Sequence, residues 1–173
     1  MLPGFITRGP LLSDAEVATF EGRAGFRLPP DFRRFLLDQN GGERASALRP
    51  EEAIAADGYP RSHRFFSLGA AVAAGLSVDE ADDLGGEVAE AWPELLGDLE
   101  LRIRWCRAGG YPTELLPVAE VYQGDLLLLR LDEPDAGAVY FAFDPDGYCE
   151  WHCDRVAGSF ADLLRDFEAW EFA

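Results

Sequence analysis

Lysine is absent from this chain, and every basic side chain is arginine. That absence removes a Walker-type phosphate loop, whose lysine reaches the outer phosphates. Histidine is scarce, with only His63 and His152. No Gly-x-Ser-x-Gly elbow is present either, so nucleophilic catalysis has little to stand on. The cysteines number 3 and cannot all pair within one chain, which points to a reducing cytosol. Met1 to Pro10 has no basic-then-apolar leader. The longest soft apolar run, Leu68 to Leu76, is too short and too glycine-broken to cross a bilayer. A cytoplasmic protein without a membrane partner is the expectation.

Positive charge is also in deficit. Acids number 32 against 15 bases, a formal net charge of −17, and the pI is near 4.3. A phosphate backbone needs a positive surface, so nucleic acid is disfavoured as a partner. Basic proteins are favoured. Hydrophobic residues make up 48% and aromatics 12% of the 173 residues, the composition of a globular chain. The length suits one domain, 1–173.

Local signals mark several elements. Ser13-Asp14-Ala15-Glu16 matches a capping box, and Val17 and Phe20 give the helix that follows an apolar edge. An extended Phe26-Arg27-Leu28 then leads to Pro29 and Pro30. Pro30 fits a first helical turn, and Asp31 places a negative charge at the positive end of the helix dipole. Phe32, Phe35 and Leu36 share one helical face. Asn40, Gly41 and Gly42 accept left-handed backbone and close the helix. Pro50 to Ala55 reads as a short helix, and Arg64 to Leu68 as a strand. Asp79 to Leu84 and Glu87 to Trp92 read as helical turns. Leu99, Leu101, Ile103 and Trp105 alternate with polar residues, which predicts a strand with one wet face.

The last third is plainer. Leu126 to Leu131 fits a strand covered on both faces. Ala138 to Phe143 alternates, Asp144-Pro145-Asp146-Gly147 is a hairpin turn, and Tyr148 to Asp154 returns. These strands form a three-stranded antiparallel meander. Ser159 caps a terminal helix with Phe160, Leu163, Leu164 and Phe167 on one face. The order of elements gives an α+β fold: an N-terminal helical hairpin and a C-terminal helix on a mainly antiparallel sheet.

Two constellations bear on chemistry. Cys149, His152 and Cys153 suggest a metal, but structural zinc takes four ligands, usually as two separated pairs. In a strand His152 points away from both cysteines, which stand about 13 Å apart at ~3.3 Å per residue. The reading is two buried thiols beside a core Trp151, with no metal and no cofactor. Asp144 to Gly147 lacks the remaining acids of a calcium loop. No catalytic residue emerges, and an enzyme or metal protein centred on the Cys149–Cys153 segment is the minor alternative.

The second constellation is acidic. Asp79, Glu80, Asp82, Asp83, Glu87, Glu90, Glu94, Asp98 and Glu100 are interrupted by no arginine, and Trp92 lies among them. Such a run is either a solvated face or a docking surface for a basic protein, with Trp92 as an anchor.

Gly25, Leu28, Pro29, Phe35, Leu36, Asn40, Gly41 and Gly42 resemble the Gly-x-x-Leu-Pro … Phe-Leu … Asn-Gly-Gly opening of the SUKH superfamily. That group includes bacterial toxin-immunity proteins and yeast cell-wall-assembly regulators. Leu116 to Ala119, Gly124 to Leu129, Gly137 to Phe141 and Ser159 to Leu164 keep the family's order. The resemblance covers about 13–42 and 111–167, while 43–110 departs from it as a variable acidic segment. It implies helices packed on a sheet, no catalysis, and an immunity protein that binds a cognate toxin, such as a basic nuclease. A regulatory interaction module of the same fold is the alternative. Asp79, Glu80, Asp82, Asp83, Glu87, Glu90 and Trp92 are the expected toxin-binding residues, since specificity belongs where the chain leaves the family pattern.

Overall fold

Ser13 opens helix α1 (Asp14–Ala24) through a complete capping box with Glu16, and Gly25, at φ 77°, closes it. Helix α2 (Pro30–Asp38) begins with Pro30 in its first turn and buries Phe32, Phe35 and Leu36. These features follow the sequence because each hydrogen bond joins residues within one turn. The computed structural model describes residues 2, 5–44, 63–73, 75–83, 97–121, 125–143 and 152–170. The expected helix at 50–55, the turns at 87–92 and the hairpin turn at 144–147 lie outside them.

The remaining elements run β1 (Gly42–Arg44), β2 (His63–Phe65), α3 (Ala70–Ala73), α4 (Val78–Asp83), α5 (Leu99–Ala108), β3 (Leu115–Glu120), β4 (Leu126–Arg130), β5 (Val139–Phe143), β6 (His152–Ala157) and α6 (Phe160–Trp170). The strands form one 6-stranded sheet in chain order. Every neighbouring pair is antiparallel. This is an α+β fold, and β4, β5 and β6 are the expected meander. All four leucines of β4 are buried, as a strand covered on both faces requires.

An aromatic cluster joins helices to sheet. Phe160 at the start of α6 meets Phe32 at 4.9 Å and Phe35 at 5.0 Å between ring centroids. Phe35 and Phe5 both pack on Phe65 of β2. Asp31 serves two helices at once. Its carboxylate accepts from Phe32 N–H at 2.9 Å and from Ala161 N–H at 2.9 Å, in the first turn of α6. Ser159 caps α6 as expected, accepting from Asp162 N–H at 3.1 Å.

One expectation is overturned. Residues 99–105 are helix α5, not a strand. Asp98 is its N-cap, accepting from Glu100 N–H at 2.9 Å and Leu101 N–H at 3.2 Å. The apparent period of two is two interleaved helical stripes. Leu99, Ile103 and Cys106 enter the main core. Leu101 packs with Ala71 and Ala81, joined by Trp105, in a second small cluster. A helix buried on two sides imitates strand alternation over seven residues.

Candidate partner-docking surface

The acids expected to bind a partner begin on α4. Ser77 starts this helix with its own capping box: Ser77 N–H donates to Glu80 at 2.8 Å, and Glu80 N–H donates back to Ser77 Oγ at 3.2 Å. The Ser77 N–H and the Ser77 hydroxyl, which donates at 2.8 Å, together hold the Glu80 carboxyl below its ordinary pKa. Buried Ala81 seats the helix against α5.

Arg104 on α5 ties down the exposed face. It pairs with Asp79 at 2.8 Å and Asp82 at 3.4 Å. Hydrogen bonding to the Asp79 carboxylate leads the causes that raise the Arg104 pKa. Trp105 Nε1 donates to the other Asp82 oxygen at 3.0 Å. Asp82 therefore fastens α4 to α5, while Asp83 stays exposed on the same helix. The structure brings Asp79, Glu80, Asp82 and Asp83 together; Glu87, Glu90 and Trp92 lie outside the described residues.

Two acids at the end of the run tie elements of the fold together, Asp98 from inside and Glu100 from a partly exposed position. Asp98 is fully buried. Besides capping α5, it accepts from Ala71 N–H at 2.9 Å, in the first turn of α3. Burial raises its pKa, against the backbone donors that lower it. Glu100 reaches across to Arg23 of α1 at 2.8 Å.

The sequence did not reveal the groove beside these acids. It has a volume of about 860 Å³ and lies between α1, the α3–α4 segment and α5. Phe20, Leu68 and Ile103 line its apolar part, and Arg23, Asp79 and Arg104 its charged part. Leu11 and Val72 stand at its margin, 63% and 69% exposed. Glu100, Arg104 and Arg107 would have pointed to it had 99–108 been read as a helix, because i, i+4 and i+7 share one face.

The described part of the cysteine segment begins at His152. No group of three or more His, Cys, Asp or Glu side chains there is placed to hold a metal. Cys106 is buried and its thiol is pushed up to about 11 by desolvation. Cys153, expected to be buried, is exposed: β6 is the last of the described strands in the sheet, and it is exposed from His152 to Val156. Its pKa is also raised, first by partial desolvation and then by Asp154. A raised pKa keeps a thiol protonated and weakly nucleophilic near neutral pH. Cys149 and Trp151 lie outside the described residues.

The architecture agrees with the motif pattern, and a family comparison decides the relationship. Residues 11–166 match the SMI1 / KNR4 family (SUKH-1). The chain belongs to that family. No individual curated protein matches it. In this SUKH-1 chain the Asn40-Gly41-Gly42 stop does more than end a helix. Asn40 Nδ2 donates to Pro10 C=O at 2.7 Å, which fixes the segment leading to the groove. No helix among the described SUKH-1 residues is long and apolar enough to cross a membrane.

Proposed function

We propose that this chain is a bacterial, cytoplasmic immunity protein that neutralises a cognate toxin by non-covalent binding. The whole span 1–173 acts as one unit, without catalysis and without a cofactor. The observation that carries the reading is the pairing of α4 with the adjoining groove in a SUKH-1 chain. An exposed acidic helix stands beside an open cleft with apolar lining, on a molecule of net charge −17. Acidic surfaces steer basic partners and raise the association rate, while apolar anchors in a cleft slow dissociation. A basic nuclease toxin fits both features.

The toxin-binding surface comprises Asp79, Glu80, Asp82 and Asp83 on α4, continued in sequence by Glu87, Glu90 and Trp92. Asp79 and Asp82 also hold Arg104, so the exposed Asp83 is the acid of α4 to reverse without breaking that tie. Co-expression with the toxin encoded beside this gene is the direct test. Rescue of growth, and a complex that survives purification, are the expected results. Absence of both rescue and binding would sink the proposal. A gene neighbourhood without toxins would favour a regulatory module instead.

A further inference from the structure

The two edges of the sheet are treated differently. At β1 the N-terminal segment adds cover: Phe5 bridges Arg44, Ile6 N–H donates to Glu43 C=O at 2.8 Å, and Glu43 N–H donates to Thr7 Oγ1 at 2.8 Å. At β6 the described residues supply no such cover. That strand is exposed from His152 to Val156 and buried only at Ala157.

The ladder shows which backbone groups of β6 point outward. Arg130 N–H donates to Ala138 C=O at 2.9 Å, and the β4–β5 register continues without a break to Leu126 opposite Ala142. Antiparallel ladders alternate residue by residue. Tyr140 and Ala142 therefore direct their backbone groups to β4, and Phe141 and Phe143 direct theirs to β6. Asp154 and His152 stand opposite those two. The backbone N–H and C=O of Cys153 and Arg155 consequently point away from the sheet, as the template an added strand would use.

We propose that this edge takes a second copy of the chain, as an antiparallel β6–β6 pair centred on Cys153. Charge selects the register. In a two-fold antiparallel pair the central residue faces its own copy. Centring on Asp154 would oppose two carboxylates, and centring on Arg155 two guanidiniums. Like charges directly opposite are destabilising. Centring on Cys153 opposes two small thiols and sets His152 of each copy against Asp154 of the other, twice. A histidine ring N–H donates to a carboxylate in either protonation state. No β6 residue lines the groove between α1 and α5, so the paired molecule presents two such grooves.

The test is a charge swap followed by sedimentation of the full chain. Wild-type protein should form a dimer with a dissociation constant on the order of 10 μM, as a small single-strand interface implies. Asp154→His and His152→Asp should each weaken it about tenfold, by opposing like groups. The double variant should restore the wild-type value, which a merely structural role for either residue would not do. In a Cys149→Ser background, a short bifunctional maleimide should link the copies through Cys153, and Cys153→Ser should abolish the link. Circular dichroism confirms that each variant is folded. A monomer up to about 100 μM, no rescue by the double variant, or linkage unaffected by the single charge variants would overturn the proposal. Pairing of the edge only with an added toxin strand would overturn it as well.

Discussion

Asn40 and Leu68 exchange two hydrogen bonds across 28 residues of chain. Leu68 N–H donates to Asn40 Oδ1 at 2.8 Å, and Asn40 Nδ2 donates to Leu68 C=O at 2.9 Å. The amide thus behaves as a backbone unit of an absent strand. With its third bond, to Pro10, it joins the end of α2, the exit of β2 and the N-terminal segment.

Asn40→Ala should destabilise the protein by about 3 kcal/mol, since buried partners are left unsatisfied. Asn40→Asp should also destabilise, because a carboxylate cannot donate to Leu68 or Pro10. Urea denaturation measures both. A change within experimental scatter for either variant would refute the clamp.

Gly42 and Gly22 should respond to alanine with opposite signs. A Cβ at Gly42, where φ is 111°, would lie 2.2 Å from Thr7 O and displace the segment covering β1. A Cβ at Gly22, inside α1, would meet nothing within 4 Å. Gly42→Ala should destabilise by about 2 kcal/mol or more. Gly22→Ala should stabilise by about 0.5–1 kcal/mol, because alanine loses less backbone entropy in a helix. Melting temperatures of the two variants provide the comparison.

Acidification should weaken the helix starts. Hydrogen bonds from Ser13, Ser77 and Ser159 lower the pKa values of Glu16, Glu80 and Asp162. A lowered folded-state pKa means that the unfolded chain binds protons first as pH falls. The contribution is therefore present above the ordinary carboxylate range and is lost as pH drops through the folded values. Ser13→Ala should lower the melting temperature at pH 7 and narrow its difference from wild type under acid conditions. A constant difference across that range would contradict the linkage.

Groove residues should separate stability from binding. Val72→Arg alters a side chain that is 69% exposed, so stability should stay within about 0.5 kcal/mol. Affinity for the proposed toxin partner should fall about tenfold or more if the cleft receives an anchor. Asp83→Arg should instead slow association and reduce its dependence on salt. Stopped-flow and dissociation-rate measurements on the isolated complex distinguish the two.

Much of this architecture was legible in short-range chemistry. Ser13 and Glu16, Pro30, and Ser159 marked helix starts because their partners lie within a single turn. The β4–β5 pair was legible because a short leucine run and alternating Val139 to Phe143 fit strands. Residues 99–105 were misread because both patterns satisfied the same letters. Only α4 under Leu101 and Trp105, with the main core under Leu99, Ile103 and Cys106, reveals the helix. Cys153 was misplaced for a related reason. A strand's period places residues on faces but does not say that the strand is an edge.

The sequence alone determined the starts of α1, α2 and α6, the acidity of the molecule and the order of its motifs, because these depend on composition or on neighbours a few residues apart. The tertiary structure decided what each piece touches. It turned Asp82 and the buried Asp98 into fasteners between helices, made Asn40 a clamp on Leu68, opened the groove beside α4 and left β6 without cover from the described residues. Those outcomes depend on which surfaces meet when distant segments pack, and no local pattern carries that information.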